Sequence, residues 1–417
     1  MNIIIDFSKC SFLDKKVSGV PLFLRFFLAL SADNTGKIIT VNAKQEYLKI
    51  AAGHKKVNLK IENYTDIKMA LEKIKGPSAV FTKDIVFYPG LIKELKQAQE
   101  NVLISNTGIF ILSENARQSI NNHNDLEQKC STVIDIKSVV YPIETEKDIK
   151  TTEKKMLKGL RTPGDTLVSR LMNRRISIWV TSKIMGTGIT PNMITTFNFI
   201  LGIAGVLCLW FVPGYMKTVL AGTFIQLSSI LDGCDGEIAR LKYQGSKFGA
   251  KFDDFSDEIT NFLFYTSAAL YTAFFWIKLP TTYPINLPGA QTVYCLSSYP
   301  WVVTLTKVFA ITGAIVFTLG QIISIWLRPK LGITNVKDQV FYFEKQSENW
   351  GKNPLHWFVT LGKHLIRNDF LALLAFVAGI FHYYWLGPYI IIMFGTAYFV
   401  TIFLEAIHYL KNRKKSM

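Results

Sequence analysis

Six apolar stretches long enough to cross a bilayer follow residue 190 and none precedes residue 150, so the chain must divide into a water-facing part and a lipid-facing part. The stretches run at about 193–212, 216–235, 256–278, 301–327, 370–386 and 388–409. At about 1.5 Å of rise per residue, each covers most of a hydrocarbon core. The 30 Phe, 17 Tyr and 8 Trp are many for a water-soluble protein of 417 residues, which agrees with this division.

Charge places the segments relative to the membrane. The formal net charge of +16 invites a nucleic-acid reading, but the basic residues flank the apolar stretches, so nucleic acid is not expected as a partner. Arg161, Arg170, Arg174, Arg175 and Lys183 precede the first stretch, and Arg240, Lys242, Lys247 and Lys251 lie between the second and third. Seven Lys and Arg between 328 and 367 and the terminal KNRKK complete one basic side, while the other has little beyond Lys217 and Lys278. This predicts both termini in the cytoplasm and an integral protein of a prokaryotic plasma membrane. The opening MNIIIDFSKCSF has no signal-peptide pattern, consistent with a cytoplasmic N-terminus. Cys10, Cys130, Cys208, Cys234 and Cys295 have neither disulfide-framework nor metal-ligand spacing and are read as thiols.

Before the spans, the pattern is of short β runs separated by helix-compatible segments. NIIIDF (2–7), KIITV (37–41), SAVFT (78–82) and NVLIS (101–105) read as strands, and 66–74 and 91–99 as amphipathic helices. The expected fold is a soluble α/β domain with a mostly parallel sheet over 1–145, followed at 146–190 by a connector and an interfacial amphipathic helix. A six-helix polytopic α-helical membrane domain then fills 191–417.

Five aspartates interrupt this apolar half in SSILDGCDGEIARLKYQGSKFGAKFDDFSDEIT, 228–260. Asp232 and Asp235 are spaced i, i+3 and Asp253 and Asp257 are spaced i, i+4, so on two helices each pair shares a face. Four converging carboxylates repel unless cations or protons neutralise them. All-oxygen ligands suit hard divalent ions, and the reading is two Mg²⁺ or Mn²⁺ ions per site, with Ca²⁺ able to stand in their place. Asp254 falls off the paired face and reads as solvated or capping. Gly233, Gly236, Ala239 and Gly249 leave bare backbone, which either admits a bulky ligand or permits close helix packing. Arg240 can offer its guanidinium to a diphosphate, or stand as an ordinary cytoplasm-side basic residue.

The stretch 232–257 resembles the signature of the CDP-alcohol phosphotransferase (CDP-alcohol phosphatidyltransferase) family: Asp, two residues, Asp-Gly, two residues, Ala-Arg, eight residues, Gly, three residues, Asp, three residues, Asp. Asp232, Asp235, Gly236, Ala239, Arg240, Gly249, Asp253 and Asp257 fill its fixed positions. The resemblance implies metal-dependent transfer of a substituted phosphate group from a CDP-alcohol donor to an alcohol acceptor, with release of cytidine monophosphate (CMP) at the cytoplasmic interface. It implies metal binding by Asp232, Asp235, Asp253 and Asp257, with Asp257 also the general base and Asp253 its rival. It further implies nucleotide contacts from Asn192, Thr195, Gly233, Gly236, Ala239, Arg240 and Gly249, and a homodimer in membrane lipid. TPNMITTFNF, 190–199, is similar to the family's Pro-Asn-x-Ile/Val-Thr lead into the first span, although Pro and polar residues also commonly begin helices. Lys363, His364 and Arg367 are the candidate acceptor-phosphate residues or, equally, a headgroup cluster. An inositol phosphate or glycerol phosphate acceptor would place the chain in phospholipid or inositol-phosphate biosynthesis.

GVPLFLRFFLALSADNTGKIITV, 19–41, resembles the Gly-x-Pro-Leu element and following helix of sugar nucleotidyltransferases. The 18 residues before Gly19 lack that family's Gly-rich, Arg-ending loop, so the domain is read as a degenerate cytidylyltransferase-like unit, and Asp33, Asn34 and Asp84 are isolated polar residues that do not establish a metal site. The alternatives are a divalent-cation transporter and an inactive structural membrane protein. A transporter would place its carboxylates near mid-bilayer, whereas these stand at span ends beside Arg240.

Overall fold

The structure, a computed structural model, describes residues 1–33, 35–98, 101–120, 122–130, 132–135, 140–161, 167–274, 300–327, 330, 368–381 and 387–415. It divides into two compact units. The first is Met1–Leu160 with Met185–Gly188 and Leu241–Tyr243, and the second is Arg161–Ile184, Ile189–Arg240 and Gln244–Met417.

In the first unit, β1 (Asn2–Asp6), the hairpin strands β2 (Lys16–Val17) and β3 (Val20–Pro21), α1 (Leu22–Ala32), β4 (Lys37–Val41), α2 (Gln45–Gly53), β5 (Lys60–Tyr64) and α3 (Ile67–Glu72) come first. They are followed by β6 (Ser78–Phe81), β7 (Ile85–Phe87), α4 (Leu91–Leu95), β8 (Val102–Ile104), β9 (Ile109–Leu112), α5 (Glu114–Gln118), α6 (His123–Lys129), β10 (Thr132–Ile134), β11 (Val140–Pro142) and α7 (Glu146–Gly159). The main sheet runs β10-β8-β9-β6-β1-β4-β5 and is parallel except at β9, which is antiparallel to both neighbours. Its strands β1, β4 and β6 are buried apolar runs, as a sheet covered on both faces requires. Ile4 pairs with Ile39 on one side and Val80 on the other, and these three join Ile67, Leu71 and Phe110 in one core. Each such side chain is worth about 1.5–3 kcal/mol of transfer free energy when fully buried.

Nearly all of α1 is buried, including Arg25 at 3 % exposure. A buried guanidinium needs acceptors, and Arg25 Nη2 donates to the carbonyls of Val17 at 2.8 Å and Leu241 at 2.6 Å, with Tyr243 offering its ring at 5.6 Å. Burial pushes this guanidinium below the usual arginine range. Gly19 makes the β2–β3 turn at a φ of 81°, and an added Cβ would strike the Met185 carbonyl. The stretch after residue 145, expected as a connector, is instead α7 of this unit. Thr145 and Asp148 form its capping box, and Met156 and Leu157 are buried.

The second unit begins with a π-helical turn, Ser169–Asn173, continued by α8 (Arg174–Ile184). Long helices follow: α9 (Pro191–Phe211), α10 (Met216–Leu241), α11 (Lys247–Phe274), α12 (Pro300–Leu327), the shorter α13 (Asn368–Ile380), and α14 (Gly387–Lys415). Within the described residues each expected span overlaps one of these helices, while 275–278 and 382–386, the ends of the third and fifth, lie outside the described residues. Among the described residues, two segments, Pro191–Phe211 and Val303–Leu327, are long and apolar enough to cross a membrane by themselves. The charged ends of α10 and α11 lower the apolarity of those helices, and α13, at 13 residues, covers only about 20 Å.

Small residues bring these helices close. A Cβ on Gly202 of α9 would overlap Thr260 of α11, and one on Gly313 of α12 would lie 2.8 Å from Ile391 Cγ2 of α14.

Candidate functional site

The acidic site is built where the start of α9, the end of α10 and the start of α11 meet. The i, i+3 spacing puts Asp232 and Asp235 on one side of α10, and the turn at 242–246 returns the chain so that Asp253 of α11 faces them. Carboxylate oxygens of Asp232, Asp235 and Asp253 lie within 4.8 Å of one another. Asp235 is 6 % exposed, and the other two are partly buried. Asp257, one turn further along α11, is partly buried and outside this three-residue group at that radius.

Residues of α9 shape the site from the third side. Thr195, buried at 3 % exposure, donates its hydroxyl to Asp235 Oδ2. Its partner oxygen is therefore oriented before any ligand arrives. Asn192 approaches the start of α11, where a Cβ on Gly249 would meet Asn192 Oδ1 at 2.8 Å. Gly249 is thus the contact that lets the first turns of α9 and α11 touch.

The small residues of α10 are used unequally. A Cβ on Gly236 would lie 3.3 Å from Arg240 Nη1, so this glycine makes room for the exposed Arg240 guanidinium to lie along the helix. At Gly233 the space is taken by a neighbouring helix: a Cβ would stand 3.0 Å from Arg174 Nη1 and 3.2 Å from Ser177 Oγ. Ala239 is partly buried on the Asp235 side of the helix. Lys363, His364 and Arg367 lie outside the described residues.

Glu237, which motif spacing leaves unconstrained, carries the most fully buried carboxylate of this region, at 0 % exposure. Its Oε1 accepts from Arg174 Nη1 and Ser177 Oγ, both at 2.7 Å, and its Oε2 from Thr181 Oγ1 at 2.6 Å. Every donor comes from the amphipathic segment before α9. A glutamate two residues from the metal-type Asp235 was the only sequence signal for this contact.

Three acidic oxygens this close, with no nitrogen or sulfur ligand in the group, fit a hard divalent cation such as Mg²⁺ or Mn²⁺.

In the first unit, Asp84 is the notable polar group. The amides of Ser11 and Phe12, in the loop after β1, donate to Asp84 Oδ2 at 2.6 and 2.9 Å, and the Ser8 amide donates to Asp6 Oδ1 at 2.9 Å. Loop amides that could cradle a phosphate are thereby engaged by the chain's own carboxylates. Asp33 is likewise engaged, accepting from the amides of Gly90 and Ile92 at the start of α4. Burial raises the Asp84 carboxyl above the usual carboxylate range, against the lowering effect of its two amide donors. Its ionised form therefore costs stability above the folded-state pKa, and that cost disappears as pH falls through this value toward the unfolded one. Wild type should gain stability relative to Asp84→Asn over that acidic window, as read by denaturation of the full chain at stepped pH. A difference independent of pH would contradict the buried-carboxylate account.

Comparison with known proteins bears on the helices from α9 to α12. Residues 188–328, spanning α9 to α12, match the family model described as CDP-alcohol phosphatidyltransferase. Two relatives are named "Bifunctional IPC transferase and DIPP synthase". The one from Aquifex aeolicus is 29 % identical over 38 % of this chain and 36 % of its own, and the one from Archaeoglobus fulgidus is 31 % identical over 39 % and 34 %. A Helicobacter pylori CDP-diacylglycerol--serine O-phosphatidyltransferase is 38 % identical over 16 % of this chain and 27 % of its own. The match spans about a third of the length of the first two relatives.

Proposed function

We propose that the protein is an integral membrane CDP-alcohol phosphotransferase that joins a substituted phosphate to an alcohol acceptor and releases CMP. The observation that carries this reading is the convergence of Asp232, Asp235 and Asp253 inside the region that matches the family model. Asp232, Asp235 and Asp253 would hold a divalent ion, with Asp257 completing a second ion's ligands or serving as base. Such an ion, when bound, offsets diphosphate charge and stabilises the departing phosphate.

The chain's own groups account for the rest. Thr195 holds Asp235 in orientation, and Arg240, whose guanidinium lies along the helix over Gly236, would offer its donors to the diphosphate of a bound donor. Asp257 accepts the proton of the attacking hydroxyl. The acceptor oxygen bonds to the phosphorus nearest the donor alcohol as the bridging P–O bond to CMP breaks. CMP leaves with the bridging oxygen, and the product is a phosphodiester.

The acceptor favoured is inositol phosphate, which accords with relatives named for IPC transferase and DIPP synthase activities. Six spans, a cytoplasmic active site and a dimer complete the reading. Leu167, Leu171 and Trp179 of the amphipathic segment are 64, 56 and 63 % exposed, and with Arg170, Arg175 and Lys183 they suit an interface of acyl chains and anionic headgroups. The first unit is read as lacking nucleotidyl transfer and as serving assembly or docking.

The test is CMP release by purified full-length protein in lipid nanodiscs, with Mg²⁺ or Mn²⁺ and a panel of CDP-alcohols against inositol phosphate and glycerol phosphate. Release that needs both metal and one acceptor class is expected. Metal flux across proteoliposomes without nucleotide turnover would overturn the reading.

A further inference from the structure

Helix α10 has two polar sides that serve different neighbours. Gln226, Ser229, Gly233 and Glu237 recur every three to four residues along one side. Each meets the amphipathic segment: Gln226 Nε2 donates to Asn173 Oδ1 at 3.2 Å, Asn173 Nδ2 donates to Ser229 Oγ at 3.3 Å, Gly233 admits Arg174 and Ser177, and Glu237 takes the three donors described above. At 3.6 residues per turn, Asp235 and Asp232 stand about 160° and about 140° around the helix from Glu237. The stripe that grips the amphipathic segment is therefore the back of the acidic site.

We propose that Glu237 is a positioning residue: held by Arg174, Ser177 and Thr181, it fixes the rotation of α10 about its own axis and so sets Asp232 and Asp235 against Asp253. This inference rests on reading those aspartates as the holders of a divalent ion. Packing and interhelical hydrogen bonds set how membrane helices meet, and the Glu237 cluster supplies three hydrogen bonds to α10 on the side opposite the aspartates. Gly233 lets Arg174 and Ser177 come close enough to make that grip. A carboxylate about 6 Å from the axis moves about 2 Å when a helix turns by about 20°. Metal sites tolerate errors of only about 0.2 Å in ligand distance.

The geometry of the grip suits the task. Both Glu237 oxygens are satisfied from two successive turns of α8, so the carboxylate is fixed in direction as well as in place. A buried pair kept for register rather than for net stability behaves this way.

The test counts free Mn²⁺ by electron paramagnetic resonance during titration of the full-length protein in nanodiscs, without nucleotide. Glu237→Gln should raise the Mn²⁺ concentration for half-saturation about tenfold, in the range found when groups supporting metal ligands are removed. Because Glu237→Gln leaves Arg174 without its counter-charge and can compromise folding, the double variant Ser177→Ala/Thr181→Val, which keeps the ion pair, provides the second measurement. It should lower the thermal midpoint yet stay folded, and weaken Mn²⁺ binding several-fold, with turnover recovering near the wild-type value at saturating metal. Wild-type Mn²⁺ affinity in the folded double variant would overturn the proposal and leave Glu237 as a structural tie. If wild type binds no Mn²⁺, the metal reading and this inference fall together. If wild type binds and the variants match it, only this inference falls.

Discussion

Asp235→Asn should lower metal-dependent CMP release by about 10³-fold, the loss expected when about 4 kcal/mol of metal-derived transition-state stabilisation is removed. The substitution replaces one oxygen of the most buried carboxylate in the acidic group with an amide nitrogen that cannot ligate a cation and points a donor at its neighbours. The fold should survive, because the remaining oxygen can still accept the Thr195 hydroxyl. Carboxylates with oxygens within 4.8 Å repel one another, so in chelator the variant should melt above wild type. In millimolar Mn²⁺ the order should reverse, because only wild type gains the full binding free energy of the ion. A variant with wild-type turnover, or one that melts below wild type in chelator and above it in Mn²⁺, would show that Asp235 is not a ligand.

The strands that were legible are short aliphatic runs set between polar segments. The runs NIIID, KIITV, SAVF and VLI read as strands because the central strands they form are covered on both faces. KIENY did not, because β5 is the sheet's edge and its residues are exposed or only partly buried, so no apolar run marks it. The antiparallel β9 was missed for another reason: its partner β8 is only four residues upstream, and the turn that reverses the chain carries Asn106 and Gly108 at positive φ.

At the site, spacing was informative for residues that act through periodicity and silent for those that act through long-range contact. Asp232 and Asp235 could be paired from the sequence because a helical repeat carries them to one side of α10, and Asp253 and Asp257 likewise on α11. Which of the second pair meets the first depends on the turn between the helices. The role of Gly233 could not be read this way, because bare backbone serves a ligand and a packed helix equally well. Its neighbour proved to be Arg174, some sixty residues earlier in the chain. Glu237 was invisible for the same reason, since its three donors lie on α8 and no local pattern announces them.

Asp257→Asn should separate binding from chemistry. If Asp257 is the base, the variant keeps Mn²⁺ half-saturation within about threefold of wild type while turnover falls by about 10²–10⁴, the range that general-base groups contribute. The structural ground is position: Asp232, Asp235 and Asp253 converge without Asp257, which lies one turn deeper along α11 on the Asp253 side of the helix. On the proposed reading, an acceptor hydroxyl would meet Asp257 there. The isosteric amide cannot take a proton, so the loss should fall on kcat with the apparent affinity for the CDP-alcohol little changed. It should also abolish the acidic limb of the pH–rate profile, because that limb reports protonation of the base. Asp253→Asn, run beside it, should raise the Mn²⁺ requirement as Asp235→Asn does. If Asp257→Asn instead loses Mn²⁺ affinity together with turnover, Asp257 belongs with the ligands, and the proton must go to Asp253 or to solvent.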